Sequence, residues 1–529
     1  MSPAAPYKTA QLAENWDAIV IGSGMGGLTA AVLLARHGGQ RVLVLERHGK
    51  PGGATHSFGR PGFRWDVGLH YLGQMQRGEA IRRAFDHVTG RAITWQPMPE
   101  VYDRIQIADR LYELPAGREL LQQRIMEWFP RERRAIERYF KSVEASNHSS
   151  LYYYAEKALP GWLHPFLGRS LRGAHMHWAR QTTAELLKHC GAGPELSGVL
   201  TGQWGDYGLP PAQSSFATHA TIVGHYQDGA AYPVGGSAVL AQSMIPLIEE
   251  KGGAVVVGAE VAEILLERGR AVGVRMVDGR EFRAPRIVSD AGAEATFNRL
   301  LPAELGSTRR LRTKIAALPR STAHLSLYVG LSQSDEELAT NPANLWVYPG
   351  YDHDANMAHF AEDIEAPLPM VYLSFPSAKD PEFARQSPGK STIEAITLVP
   401  YAHFAAWEHT ERKQREASYE ALKERLLGRL RATLEEHCPN VRGHIEHIEL
   451  GTPLTTRHYL NTPQGEIYGL AATPARYAMG LGARTPLRGL YLTGQDVTTP
   501  GVAAALLGGV LCASVMLGRN MMRTVVREA

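Results

Sequence analysis

Cysteine is almost missing from this chain: three in 529 residues, Cys190, Cys438 and Cys512. None belongs to a C-x-x-C pair, which excludes a disulfide framework or a zinc ribbon and favours a reducing compartment. An excess of one charge is also missing. Lys and Arg number 56 against 53 Asp and Glu, a net +3 without a long basic run, so a nucleic-acid binder is not expected. The first sixteen residues contain no apolar h-region, so a secretory signal is not expected and a cytoplasmic protein is. There is no G-x-S-x-G elbow for a serine hydrolase. His444 and His447 stand three apart with no acidic or cysteine cluster nearby, so no metal is expected. His175 and His177 read as surface or interfacial side chains. No internal repeat and no low-complexity tract occurs. The one uncharged apolar run, Gly501 to Leu517, is slightly short for a membrane span and rich in Gly and Ala. It is predicted to be a buried helix packed closely against a sheet and a ligand.

What the chain does have is the stretch Asp17-Ala-Ile-Val-Ile-Gly-Ser-Gly-Met-Gly-Gly-Leu. An apolar strand from Ala18 to Ile21 runs into Gly22, Gly24 and Gly27 and then into a small-residue helix from Leu28 to Ala35. A second strand from Arg41 ends on Glu46. In a dinucleotide fingerprint the first glycine makes the tight turn, the second admits a pyrophosphate and the third lets helix and strand pack closely. The helix N-terminus offers free amides and the positive end of its dipole to phosphate. Glu46 stands where a carboxylate accepts from ribose hydroxyls, favouring an adenosine diphosphate without a 2′-phosphate.

A chain of 529 residues exceeds one compact core, and two interleaved domains are expected. The nucleotide-binding unit is assembled from residues 1–80, 231–295 and 471–529. Its later parts include a helix after Tyr232-Pro-Val-Gly-Gly and strands at 254–257, 261–267, 271–277 and 286–289, with an Asp-Gly hairpin turn at 278–279. The strand 489–492 leads into the 501–517 helix. The excursions 81–230 and 296–470 form the second domain. The first reads as mostly helical; within 151–180, Trp162, Phe166 and Trp178 mix with Lys157, Arg169 and Arg172, a composition suited to a membrane surface. The second alternates strands (323–329, 369–374, 391–399) with one helix whose Tyr419, Leu422, Leu426, Leu430 and Leu434 form an apolar stripe.

Further residues carry chemistry. Pro51-Gly52-Gly53-Ala54 supplies a loop able to wrap a pyrophosphate, followed closely by Asp66, His70 and Tyr71. Near the C-terminus Thr493-Gly-Gln-Asp496 places a carboxylate for polyol hydroxyls, and Pro500 opens a helix whose amides at 501–503 would stabilise a reduced flavin. A nucleotide fingerprint at one end of the sheet and a cofactor-facing helix at the other imply a long cofactor, FAD rather than NAD. No second G-x-G-x-x-G is present, so a separate NAD(P)H domain is not expected. His458-Tyr459 reads either as a channel lining or as a structural loop.

These motifs resemble the phytoene desaturase-like flavoproteins, and within them the retinol saturase and carotenoid isomerase branch. The likeness rests on Val20-Ile-Gly-Ser-Gly-Met-Gly-Gly-Leu, Glu46 with Pro51-Gly-Gly, Asp66-Val-Gly-Leu-His-Tyr-Leu-Gly, Gly451-Thr-Pro-Leu-Thr-Thr and Leu490-Tyr-Leu-Thr-Gly-Gln-Asp. It implies an α/β fold: a doubly wound, glutathione reductase-like and amine oxidase-type FAD domain with an inserted mixed α+β substrate domain. It also implies non-covalent FAD held at Gly22, Gly24, Met25, Gly26, Gly27, Glu46, Arg47, Gly53, Ala54, Val261, Gly494, Asp496 and Val502. The implied substrate is a long apolar polyene drawn from a membrane surface, with hydride transfer at flavin N5. His70 and Tyr71 are the candidate proton donors or substrate positioners. Saturation is the first reading. Desaturation, cis–trans isomerisation and an unsaturated fatty-acyl substrate are the alternatives within the family. Outside it stand an amine oxidase-like enzyme and a lipid or prenyl-protein escort without flavin chemistry. The electron donor or acceptor is not implied.

Overall fold

Four consecutive apolar residues running into a glycine turn suit a short buried strand, and Ala18–Ile21 is fully buried at the centre of a six-stranded sheet. The computed structural model describes residues 4–158, 164–412 and 414–527. The sheet runs in the spatial order Ala5–Pro6, Ala254–Val257, Val42–Glu46, Ala18–Ile21, Ile287–Ser289, Leu490–Leu492, and every neighbouring pair is parallel. Strands buried on both faces read as unbroken Val/Ile/Leu runs, as these do. Helix Met25–Gly38 packs against Val502–Leu517 and Ala238–Glu249. It begins three residues before the expected Leu28, taking Gly26 and Gly27 into its first turn.

The strands Val261–Glu267, Arg270–Met276 and Glu281–Arg283 do not extend the parallel sheet. They form an antiparallel sheet of their own, turned at Gly279 (φ +88°). Its buried Ile264, Val274 and Phe282 join the same apolar core. That core draws on residues between 4 and 95, 231 and 315, and 470 and 525.

A second, seven-stranded sheet runs Ile445–Gly451, Ala323–Leu331, Ser391–Val399, Val371–Ser374, Asn344–Tyr348, Val101–Ile107, Arg110–Pro115. All pairs are antiparallel except Asn344–Tyr348 with Val101–Ile107. Side chains alternate between its faces. Leu325, Leu327, Leu345, Leu373, Ile393 and Ala395 meet the helix Ala417–His437, whose stripe Tyr419, Leu422, Leu426, Leu430 and Leu434 is buried. His324, Trp346, Tyr372, Ile396 and Leu398 stand on the other face and line a cavity.

The first excursion is less helical than its pattern suggested, because Val101–Pro115 is a hairpin that completes this sheet. Beyond it, Arg133–Ala158 and His164–Ala179 pack on one another. Trp162 and the side chains of Phe166 and Arg169 lie outside the described residues. Lys157 donates to the Val497 carbonyl at 2.5 Å, and Arg172, whose side chain is 38% exposed, pairs with Glu156. His175 is buried beside Ser149, a correction to its surface reading, while His177 is exposed. Among the described residues no helix is long and apolar enough to cross a membrane and no metal-binding cluster occurs.

Candidate active site

The order of the parallel strands reverses on either side of Ala18–Ile21, and ligands of open α/β sheets bind at the carboxyl ends of strands at such a point. Gly22, in the left-handed region at φ +97°, turns the chain there. The helix that follows cannot be approached without glycine. A Cβ at Gly27 would strike the Gly22 carbonyl, one at Gly26 would lie 2.5 Å from Gly494 Cα, and one at Gly24 would run into Asp290 Oδ2. The demand on Gly24 in the protein itself therefore comes from a buried acid beneath it. Asp290 ends the strand Ile287–Ser289 and accepts from the amides of Gly24 and Gly27, while burial raises its pKa to about 7.

The Val42–Glu46 strand delivers Glu46 to the same crest. Its Oε2 accepts from the Ser23 amide (2.9 Å) and hydroxyl (2.7 Å), and Oε1 from the His48 amide (2.7 Å). Ser23 Oγ in turn accepts from the Gly52 amide at 3.1 Å, tying the second glycine loop to the first. Arg47 donates to the carbonyls of His458 and Tyr459. Tyr459 thus reaches the cavity beside Glu46, not along an apolar channel.

At the opposite wall Asp496 Oδ2 accepts from the Ala293 amide at 2.7 Å, at the start of a short helix. Its Oδ1 is buried with no hydrogen-bond partner among the described residues, although Arg476 Nη2 stands 3.9 Å away. A buried carboxylate oxygen left open on a cavity wall requires a ligand or water to complete it. The amides of Met25 and Gly26 open a helix, where no intrahelical acceptor exists, and both residues line the same cavity. These features fit a nucleotide cofactor of the dinucleotide class.

One cavity of about 390 Å³ joins these walls. It is lined by Gly22, Gly24, Met25, Gly26, Glu46, Arg47, Gly53, Ala54, Val261, Gly494, Asp496 and Val502, and its far end by Asp206, His324, Trp346, Tyr372, Ile396 and Leu398. Of the expected cofactor positions only Gly27 does not face it, being turned against Gly22. His70 lines the cavity; its Nδ1 is 3.5 Å from Glu394 Oε2, and burial with Lys379 nearby lowers its pKa to about 3, leaving a neutral imidazole. Tyr71 corrects the expectation placed on it. Its ring is buried away from the cavity wall, stacked on Tyr226 at 4.2 Å, and its hydroxyl lies between two carboxyl groups, Asp103 (2.8 Å) and Asp206 (3.0 Å).

Several functional candidates escaped the sequence reading. Asp290 had a signal, an acid directly after a buried strand. Asp206, Lys379 and Glu394 had none, since long-range pairing alone collects them. Lys379 is buried with its pKa lowered to about 7 by desolvation, and it donates to Asn344, Ser374 Oγ (2.9 Å) and the His70 carbonyl (3.1 Å). Glu394, desolvated and beside Asp66, is held far above the usual carboxylate range.

Residues 20–88 match a family model described as an NAD(P)-binding Rossmann-like domain. Over 97% of its length the chain is 34% identical to a zebrafish (Danio rerio) protein named all-trans-retinol 13,14-reductase, spanning 88% of that protein. It is 28% identical to prolycopene isomerase 1 of an Oncidium hybrid, over 95% of this chain and 84% of that one. Among solved structures, cyclohexylamine oxidase from Brevibacterium oxydans superposes with a TM-score of 0.59 at 17% identity, over 97% of this chain and 99% of that one, a likeness of fold. The glycine cradle, the acid on the second strand and a match to these reductases along nearly the whole chain agree: the chain belongs to the phytoene desaturase-like family of FAD-dependent oxidoreductases, in its retinol saturase and carotenoid isomerase branch.

Proposed function

We propose that the protein holds FAD non-covalently and reduces a C=C bond of a long conjugated polyene of the retinoid or carotenoid class. The supporting observation is the single cavity that runs from the glycine cradle and Glu46 to an apolar sheet face. Adenosine ribose would be held at Glu46, with Arg47 and Val261 beside it. The pyrophosphate would lie between Met25–Gly26 and Gly53–Ala54, and the ribityl chain against Asp496. The amides that open Val502–Leu517 would face the electron-rich edge of the flavin ring. Bound there in its reduced form, a flavin supplies a hydride. The chain's own work is to orient the polyene on Trp346, Tyr372, Ile396 and Leu398 and to keep water away, which is how position lowers such a barrier. His70, neutral and hydrogen-bonded through its backbone, is suited to positioning substrate. The division into a nucleotide unit (1–80, 231–295, 471–529) and a substrate unit (81–230, 296–470) belongs to this reading. So does peripheral attachment of 151–180 to a membrane, from which an apolar substrate would enter.

The test is anaerobic. Protein reconstituted with FAD and reduced with dithionite is mixed with all-trans-retinol and, separately, with a cis-carotene. A dihydro product formed in step with flavin reoxidation is expected. Geometric isomers formed without net flavin oxidation would assign the isomerase reaction in its place. Gly24→Val should give a colourless protein; flavin retained at wild-type stoichiometry would contradict the cofactor site. Combining Trp162→Ser with Phe166→Ser should reduce sedimentation with liposomes while flavin content is unchanged, and undiminished sedimentation would remove the membrane proposal.

A further inference from the structure

Three groups stand in line at the far end of the cavity: the buried Asp103 and Tyr71 hydroxyl, and Asp206, half-buried on the cavity wall. Asp103 lies on Val101–Ile107 opposite Asn344 and is wholly buried. Apart from Tyr71 it accepts from Asn344 Nδ2 (2.8 Å) at Oδ1, and from Gln203 Nε2 (2.6 Å) and Trp346 Nε1 (3.2 Å) at Oδ2. Burial raises its pKa to about 6 and these donors oppose that rise, so at neutral pH Asp103 is mostly an anion. Asp206, in the short turn Trp204–Asp206, has Tyr71 as its hydrogen-bond partner and lines the cavity.

The phenol carries one proton, yet its oxygen is in hydrogen-bond reach of both carboxyl groups. If that proton goes to Asp103, the contact at 3.0 Å is satisfied only when Asp206 brings a proton of its own and donates it to the phenol oxygen. The reverse arrangement would place the proton on Asp103, among three other donors, where it would displace one of them. The direction of the chain is thus fixed: Asp206 to Tyr71 to Asp103. We propose that Asp206 is a neutral carboxylic acid at neutral pH and the proton donor for reduction of the polyene, with Tyr71 a positioning residue that links it to the charged Asp103. This rests on the reductase reading above. Burial and the adjacent Asp103 both hold Asp206 well above the usual carboxylate range, as in other paired carboxyl sites.

The step balances. A hydride, which a reduced flavin held in the glycine cradle would supply, would form a C–H bond at one alkene carbon, and the π electron pair would pass to its conjugated neighbour. The Asp206 O–H turns from the Tyr71 oxygen toward the cavity, that carbon takes the proton as the O–H bond breaks, and the O–H pair stays on the carboxylate. Asp206 then stands as an anion two hydrogen bonds from anionic Asp103, an arrangement that draws a replacement proton from water once product leaves.

Two measurements decide the matter. Infrared difference spectra of wild type against Asp206→Asn, in H₂O and D₂O at neutral pH without substrate, should show a protonated-carboxyl C=O band that shifts in D₂O. If wild type and variant spectra match in that region, Asp206 holds no proton and the proposal fails. In the anaerobic reaction, Asp206→Asn should bind flavin and polyene as wild type does but lose conjugation about 10²–10⁴-fold more slowly, with partial recovery in Asp206→Glu. Tyr71→Phe, which retains the acid, should lose less and so serves should Asp206→Asn not fold. Wild-type protein that forms dihydro product no faster than Asp206→Asn overturns this assignment alone. Wild-type protein that binds both partners and forms no dihydro product overturns the reductase reading instead, whatever the infrared result.

Discussion

One added methyl group distinguishes two kinds of glycine in this chain. At Gly26 it would meet the Gly494 backbone at 2.5 Å, whereas at Gly428, on the exposed side of Ala417–His437, it would meet nothing within 4 Å. Gly26→Ala is therefore expected to cost about 1–3 kcal/mol through overpacking. Gly428→Ala should add about 0.4–1 kcal/mol by restricting the unfolded chain. Thermal denaturation of the two variants should give shifts of opposite sign; a shared sign would contradict the packing at Gly494. Titration is read at the same scale. His219 lies between the hydroxyls of Tyr139 (2.7 Å) and Tyr207 (3.1 Å), and burial lowers its pKa from 6.5 to about 3. Between those values the unfolded chain binds a proton there and the folded protein does not. Stability is thus lost as pH falls below 6.5, with a slope from this residue approaching about 1.4 kcal/mol per pH unit. Denaturant unfolding of His219→Gln at pH 7, 6 and 5 should fall less steeply than wild type by that amount. Parallel slopes would show that His219 is protonated in the fold.

Elements differ in how openly the sequence announces them. The strand–glycine–helix–strand–acid order of residues 18–46 declares itself because glycine, apolar runs and the closing acid each have a local cause. The stripe on Ala417–His437 does so because its period is helical, and all five of its residues are buried. Leu430→Ala should cost about 2–5 kcal/mol, as for a fully buried leucine. Because this helix lies on the sheet face away from the cavity, flavin content should not change; loss of flavin at 25 °C in a variant that remains folded would contradict that placement. The hairpin Val101–Pro115 hid for the opposite reason. Its turn puts Ala108 at φ +49°, a conformation usually signalled by Gly or Asn, and a lone Asp109 is the one turn residue between the two strands, too weak a marker by itself. Ser391–Val399 was legible as a strand but not as a cavity wall. All nine residues are buried, so no polar alternation shows which face Glu394, Ile396 and Leu398 occupy. Asp103 and Asp206 come together only through pairing between segments a hundred residues apart, and local pattern carries no trace of that.

At the scale of the whole molecule the cavity lies where two cores meet. Trp65 Nε1 donates to the Val329 carbonyl (3.1 Å) and the Asp66 amide to Glu394 Oε1 (3.1 Å), so the hairpin Ser57–Asp66 that follows the nucleotide cradle is bonded to the seven-stranded sheet, and Arg64 pairs with Asp380 beside it (2.7 Å). A cofactor seated between these walls acts on both. FAD at a hundred times its dissociation constant should stabilise the protein by about 2.7 kcal/mol, since it binds the folded state alone. The gain should appear beyond the glycine loops. Amide hydrogen exchange in Ser391–Val399, far in sequence from any nucleotide-binding motif, should slow on adding FAD, together with that in Ala18–Ile21. Gly24→Val protein should show neither change. Protection confined to the parallel sheet would mean that the flavin end of the cofactor does not reach the face formed by Trp346, Tyr372 and Ile396, and the polyene could not then lie against it. Slowed exchange in both sheets with no response in Gly24→Val would place one ligand across the two cores, as a hydride donor for a substrate held on the far wall must be.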